Sequence, residues 1–150
     1  MNRMSEFPTV MILACQCIRM LTIFLGMFFV HLFLMPALMV EQASHYRISL
    51  NQAYMAAAMS AAMMFTVHHN MSMQSVILYI AILVAAIVAI RTQLFVTDSQ
   101  YLNEMIQHHS MALLTSRPRL ARTKNPEVAQ LADQIIRAQE KEIATMKNIA

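Results

Sequence analysis

At 150 residues the chain has single-domain length, yet 58% of it is apolar and only 13% charged, against about 45–50% and about 25% in ordinary globular chains. A net charge of +3 carries no nucleic-acid signature, and a single glycine, Gly26, leaves no phosphate-binding glycine loop. Charge is also unevenly placed. Between Arg19 and Arg91 the formal charges are Glu41 and Arg47, whereas Lys, Arg, Asp and Glu are scattered throughout the residues beyond Arg91. A lipid-soluble front, 1–96, is therefore followed by a water-soluble tail, 97–150.

Residues 12–15, "ILAC", faintly resemble a lipoprotein cleavage site, but the apolar run ahead of Cys15 is short, holds Pro8 and follows Glu6. The expectation is a retained N-terminus, with residues 7–19 extending the first helix or lying along the interface. Cys15 and Cys17, at i, i+2, point to different sides of a helix, which suits neither a helical metal clamp nor a local disulfide.

Three segments have the roughly 20 residues a bilayer crossing requires. The first, about 20–40, contains His31 and Pro36; the second, about 48–67, is less apolar and carries Asn51, Gln52, Ser60 and Thr66; the third, about 71–95, has the aliphatic core "VILYIAILVAAIVAI". Short connections make neighbours antiparallel. His31 is an intramembrane ionisable group and so a functional candidate, with Asn51 or Tyr54 as partners. Met55, Met59 and Met63 follow Asn51 at i+4 steps; the reading is helix packing, with a thioether track as the alternative. Arg3 and Arg19 precede the first span, which leans towards a cytoplasmic N-terminus and an outside tail, in a bacterial inner (cytoplasmic) membrane.

The tail reads as two antiparallel helices. Asp98 is the expected N-cap of the first, with Tyr101, Met105, His108 or His109, and Ala112 along one face, ending before Pro118. The second opens with Asn125 as cap, Pro126 at the first helical position and Glu127 in the first turn. Val128, Leu131, Ile135, Ala138, Glu142 or Ile143, and Met146 then form its stripe. A lone two-helix hairpin buries too little apolar surface to stand alone, so it needs the membrane helices, another copy, or both.

The pattern Asp98, Tyr101, Met105, His108-His109, Ala112, then Pro126-Glu127, Leu131-Ala132, Ile135-Ile136, Gln139, Glu142-Ile143 and Met146 resembles the domain of unknown function 305 family. The resemblance covers nearly all of 97–147, and Arg91-Thr92-Gln93 resembles the junction of a subgroup with three preceding membrane helices. It implies a ferritin-like helical bundle, export, and an association with copper or silver through Met and His. Two departures stand out: Gln107 occupies a position where the family often has Pro, and one hairpin is present where the fuller domain has two.

Reduced copper favours thioether and accepts imidazole. Met105 lies i, i+3 from His108 and i, i+4 from His109; His108 and Met111 are i, i+3; Glu142 and Met146 are i, i+4 on the second helix. The bland alternative makes the methionines core and His109 a hydrogen-bonded core residue. A secondary cluster, His68, His69, Met71 and Met73, sits in the turn between spans two and three, where a polar turn is the competing reading. No base-and-orienter arrangement supports an enzyme, and Glu104 lies four residues before His108 where a ferritin-type carboxylate site needs three. The expected protein is all-α, three membrane helices plus a hairpin, binding Cu(I) or silver for sequestration or tolerance, embedded in a lipid bilayer and forming a homo-oligomer that pairs hairpins. The alternative is a metal-free membrane interaction or scaffold protein.

Overall fold

Pro36 shapes the first helix. The structure, a computed structural model, describes residues 9–67 and 71–149, and these are helices joined by turns. Helix α1 (Thr9–Phe29) passes through a π-helical turn at Val30–Leu34 into the short α2 (Met35–Met39). Proline has no N–H to give the carbonyl four residues back, and its ring crowds that carbonyl, so a regular helix cannot continue there. The carbonyl in question belongs to Leu32, and it accepts from Gln52 Nε2 at 2.7 Å. The interruption in one helix thereby becomes a tie to the next.

Helix α3 (Leu50–Val67) packs between α1 and α4 (Met73–Thr92). Ala56, Ser60, Ala61 and Met64 are buried, and the small ones let the helices approach closely. Met64 and Tyr79 pack against Phe24 of α1, whose ring lies 5.8 Å from that of Tyr79. The stripe Met55, Met59 and Met63 lies on the other side, 52%, 49% and 39% exposed, so packing within the chain does not account for it.

Among the described residues two stretches, Ala14–Met39 and Met73–Thr92, are long and apolar enough to cross a bilayer. Only 6% and 17% of their apolar windows are buried. A core helix of a soluble protein would be mostly covered; these present wide apolar surfaces such as Ile18, Leu38, Ile77 and Val84. Helix α3, expected as the second of three spans, is less apolar and is not among them.

The tail is the antiparallel pair α5 (Asp98–Arg122) and α6 (Pro126–Ile149). As expected, Asn125 Oδ1 accepts from the N–H groups of Glu127 and Val128, capping α6 behind Pro126. Three other expectations are corrected. The N-cap of α5 is Thr97, whose side chain accepts from Gln100 N–H, and Asp98 is the first helical residue. Helix α5 does not stop before Pro118 but runs on to Arg122. Leu120 beyond it packs against the hairpin core, and Arg117 pairs with both Glu41 and Glu140, which offsets the proline's penalty of about 3 kcal/mol. The buried stripe is also rotated. Ile106 and Leu113 meet Ile136, Ile143 and Met146, with Met105 at the edge, while Tyr101 and Leu131 are 53% and 56% exposed.

The hairpin docks on the connection between α2 and α3. Ser110, fully buried, accepts from Glu41 N–H at 2.9 Å and contacts His45 Nδ1 at 2.9 Å. Leu50 N–H donates to Gln100 Oε1 at 2.8 Å, and Asn51 Nδ2 donates to Glu104 Oε2 at 2.8 Å and to Gln93 Oε1 at 2.9 Å. Gln93 itself adopts a left-handed conformation (φ 52°) that ends α4. The first connection and the hairpin thus lie on one side of the helical pack.

Two outcomes follow from this arrangement. Replacing Pro118 by Ala restores an intrahelical hydrogen bond and is expected to stabilise the hairpin by about 1–3 kcal/mol; a denaturant titration in detergent that finds no gain would contradict the assignment of Pro118 to a helix interior. His45 is held below its ordinary pKa, first by burial and then by Lys147. The unfolded chain therefore takes up this proton more readily, so stability is full above about pH 6.5 and declines as pH falls from there towards the folded-state value. His45→Asn should show a shallower loss between pH 7.5 and 5.5, and identical slopes would remove His45 as the cause.

Candidate functional site

The face of α5 turned towards α6 carries the densest set of donor atoms in the hairpin. The carbonyl of Met105 can only accept, so at 2.6 Å it fixes the proton of His109 on Nδ1. The other ring nitrogen, Nε2, lies 2.7 Å from Glu142 Oε2 on α6. The imidazole nitrogen and the carboxylate oxygen thus meet across the two helices at hydrogen-bond distance, and a metal ion held between them would require them to part, since each bond to it is about 2 Å long.

Around this pair a cleft of about 610 Å³ is lined by Met105, His109, Glu142 and Met146, with Tyr101 and Lys141 at its sides. Met105 is half-buried and Met146 is buried in the hairpin core, whereas the Glu142 side chain is 54% exposed. Among the described residues no three His, Cys, Asp or Glu side chains gather as a metal cluster. The donor set here is therefore two thioethers, one imidazole and one carboxylate. That composition fits a soft monovalent ion better than zinc, which draws its ligands from Cys, His, Asp and Glu. Lys141 weighs against cation entry and lowers the affinity such a cleft can reach.

His108 and Met111, expected in the same site, are elsewhere. They line a second cleft between α2, α3 and α5, together with His31, Met35, Met39, Met55 and Met59. Adjacent residues on a helix are turned by about 100°, which separates His108 from His109. His108 Nε2 lies 3.7 Å from Glu104, the i, i+4 neighbour, and its side chain is 52% exposed. His31 takes neither expected partner: its Nδ1 bonds to Met27 O at 2.8 Å, Asn51 bonds to Gln93 and Glu104, and Tyr54 bonds to Leu94 O. In the secondary cluster, His68 and His69 fall outside the described residues; Met71 packs against the α3–α4 core and Met73 is exposed. Cys15 and Cys17 are free and exposed.

Sequence reasoning named Gln52 only as a polar residue of the second segment and overlooked Ser110, because a small hydroxyl and an amide have no pattern of their own. The signal was available only for Gln52, as an amide near a proline-interrupted span.

The family profile described as Domain of unknown function (DUF305) matches residues 40–150. The match thus takes in α3 and α4 as well as the hairpin, beyond the stretch from 97 onwards that carries the motif. An uncharacterized protein of Acanthamoeba polyphaga mimivirus, L153, is 40% identical over 109 residues, covering 69% of this chain and 72% of its own length. No solved structure matches. With three-quarters of its length under the profile and a relative at this identity, the chain belongs to the DUF305 family.

Proposed function

We propose that the protein is an integral membrane protein with three spanning helices whose hairpin binds soft metal ions, Cu(I) or Ag(I), for sequestration or tolerance and without catalysis. The observation that carries the reading is the His109–Glu142 contact at 2.7 Å, flanked in one cleft by Met105 and Met146. Helix α3 is too polar at its start to qualify as a span alone, but it packs on α1 and α4 along one side, and Asn51 and Gln52 are hydrogen-bonded to the hairpin and to the π-helical turn. An odd number of spans with the N-terminus in the cytoplasm sets the hairpin outside, as the Arg3 and Arg19 bias favours. The exposed Val128 and Leu131 of α6 support pairing with a second copy into a four-helix, ferritin-like bundle.

A second reading, a metal-free interaction protein, is favoured by one specific fact: both ring nitrogens of His109 already have protein partners. The two readings separate on Met105→Leu and His109→Ala. Leu preserves volume and apolar character, so folding should change by less than about 1.5 kcal/mol. If the cleft is a site, each variant weakens Cu(I) binding by at least about tenfold, measured against a chromophoric chelator in a Cys15→Ser/Cys17→Ser background, and Zn(II) binding stays weak throughout. Protons compete for imidazole, so the Cu(I) affinity also falls towards acid pH. Wild-type affinity in both variants would remove this cleft as the site, and a protein that takes up no Cu(I) would leave the metal-free reading standing.

A further inference from the structure

The second cleft, between α2, α3 and α5, encloses about 330 Å³, at the lower end of the about 300–1,000 Å³ typical of ligand sites. Its two ends differ in chemistry. Ser49, Gln52, Glu104, Gln107 and His108 line it where Asn51 ties the start of α3 to α5. From Gln52 to Met59, α3 rises by about 10 Å, and along that length the lining is Met55, Ala56 and Met59, with Met35 contributed by α2. His31 is the polar side chain beside this apolar stretch, and its Nδ1 is already bound to Met27 O. Met35, Met39, Met55 and Met59 are 44–52% exposed and belong to no core cluster. Flexible, unbranched side chains of this kind conform to an apolar partner that has no fixed shape. A polar end leading into a pliable apolar channel matches an amphiphile with an alkyl chain.

The polar end selects the head group. Glu104 Oε2 accepts from Asn51 at 2.8 Å, whereas Oε1 lies 3.7 Å from His108 Nε2, beyond hydrogen-bond reach, and stays open as an acceptor. Among the described residues lining the cleft there is no Lys or Arg to meet an anionic head. Nor does Phe, Tyr or Trp line it, so the aromatic cage that recognises a trimethylammonium group is missing. A primary ammonium needs neither: it donates N–H bonds and carries the charge that a carboxylate complements.

We propose that this cleft holds a phosphatidylethanolamine-type lipid of the surrounding bilayer, its ammonium on Glu104 Oε1 and an acyl chain along the methionines of α2 and α3. Gln107 and the half-exposed His108 stand at the same end and supply N–H donors for the phosphate. The inference rests on the membrane embedding proposed above and is independent of metal binding. Met39 closes the first apolar stretch and also lines the cleft, which sets its polar end at the level of the lipid head groups.

The test is native mass spectrometry of the full chain in mild detergent, supplied with equimolar phosphatidylethanolamine, phosphatidylcholine and phosphatidylglycerol of identical acyl chains. The ethanolamine lipid should be retained at least about tenfold over either competitor. Glu104→Gln keeps the oxygen that accepts from Asn51 but removes the charge, so the preference should fall towards equality. Met55→Trp fills the channel and should lower retention of the ethanolamine lipid with the head-group contacts intact; circular dichroism checks that both variants fold. Equal retention of the three lipids by the unsubstituted chain, or preference for the choline or glycerol lipid, would overturn the proposal without recourse to any variant. An ethanolamine preference that survives both substitutions would overturn it too, by placing the lipid elsewhere. Lipid retained without head-group preference would leave the membrane reading intact, whereas a chain that stays dispersed without detergent and retains no lipid would remove that reading as well.

Discussion

A buried hydroxyl holds the two halves of the molecule together. Ser110 has no exposed surface; it accepts a backbone N–H from Glu41 and meets the ring of His45 in the connection ahead of α3. A larger side chain would separate α5 from that connection, and an apolar one would orphan a buried N–H at a cost of about 1–3 kcal/mol. Around it, Gln100 accepts from the Leu50 N–H at the start of α3, and Glu104 accepts from the Asn51 side chain. Arg117 extends the same junction outward by pairing with Glu41 and Glu140, linking the first connection, α5 and α6.

This docking fixes the rotation of α5, and the rotation decides which donors meet. With Ser110 turned to the connection and Ile106 and Leu113 turned to α6, Met105 and His109 fall beside Glu142 and Met146, while His108 and Met111 fall towards α2 and α3. One sequence cluster is divided between two clefts on different faces of a helix. The bend at Pro36 matters for the same reason: Gln52 anchors the interrupted helix to α3, placing Met35 and Met39 opposite Met55 and Met59.

The parts legible in the sequence were those with strong local physics. Asn125-Pro126-Glu127 reads as a helix start because the cap, the fixed proline φ and the acidic first turn agree, and the structure has that cap. The aliphatic run in α4 and the all-helical class were legible from composition and periodicity. What failed depended on tertiary contact. Pro118 is a helix breaker locally, yet the pairing of Arg117 and the packing of Leu120 carry α5 through it. The stripe through Tyr101 and Ala112 was displaced because Ser110 and Ser116, polar by composition, are buried against neighbouring segments. Of the expected donors, Met105, His109, Glu142 and Met146 were brought together; the parting of His108 from His109 follows from helix geometry once one face is known to be buried.

In the cleft between α5 and α6, two thioethers stand beside one imidazole and one carboxylate, and the proposed binding of Cu(I) rests on the thioethers. X-ray absorption on the Cu(I)-loaded protein, with both cysteines replaced by Ser, tests the central claim most directly. The account predicts a first shell of sulfur together with nitrogen or oxygen, whose sulfur contribution falls when Met105 is changed to Leu. A shell of nitrogen and oxygen alone, unchanged by that substitution, would contradict it.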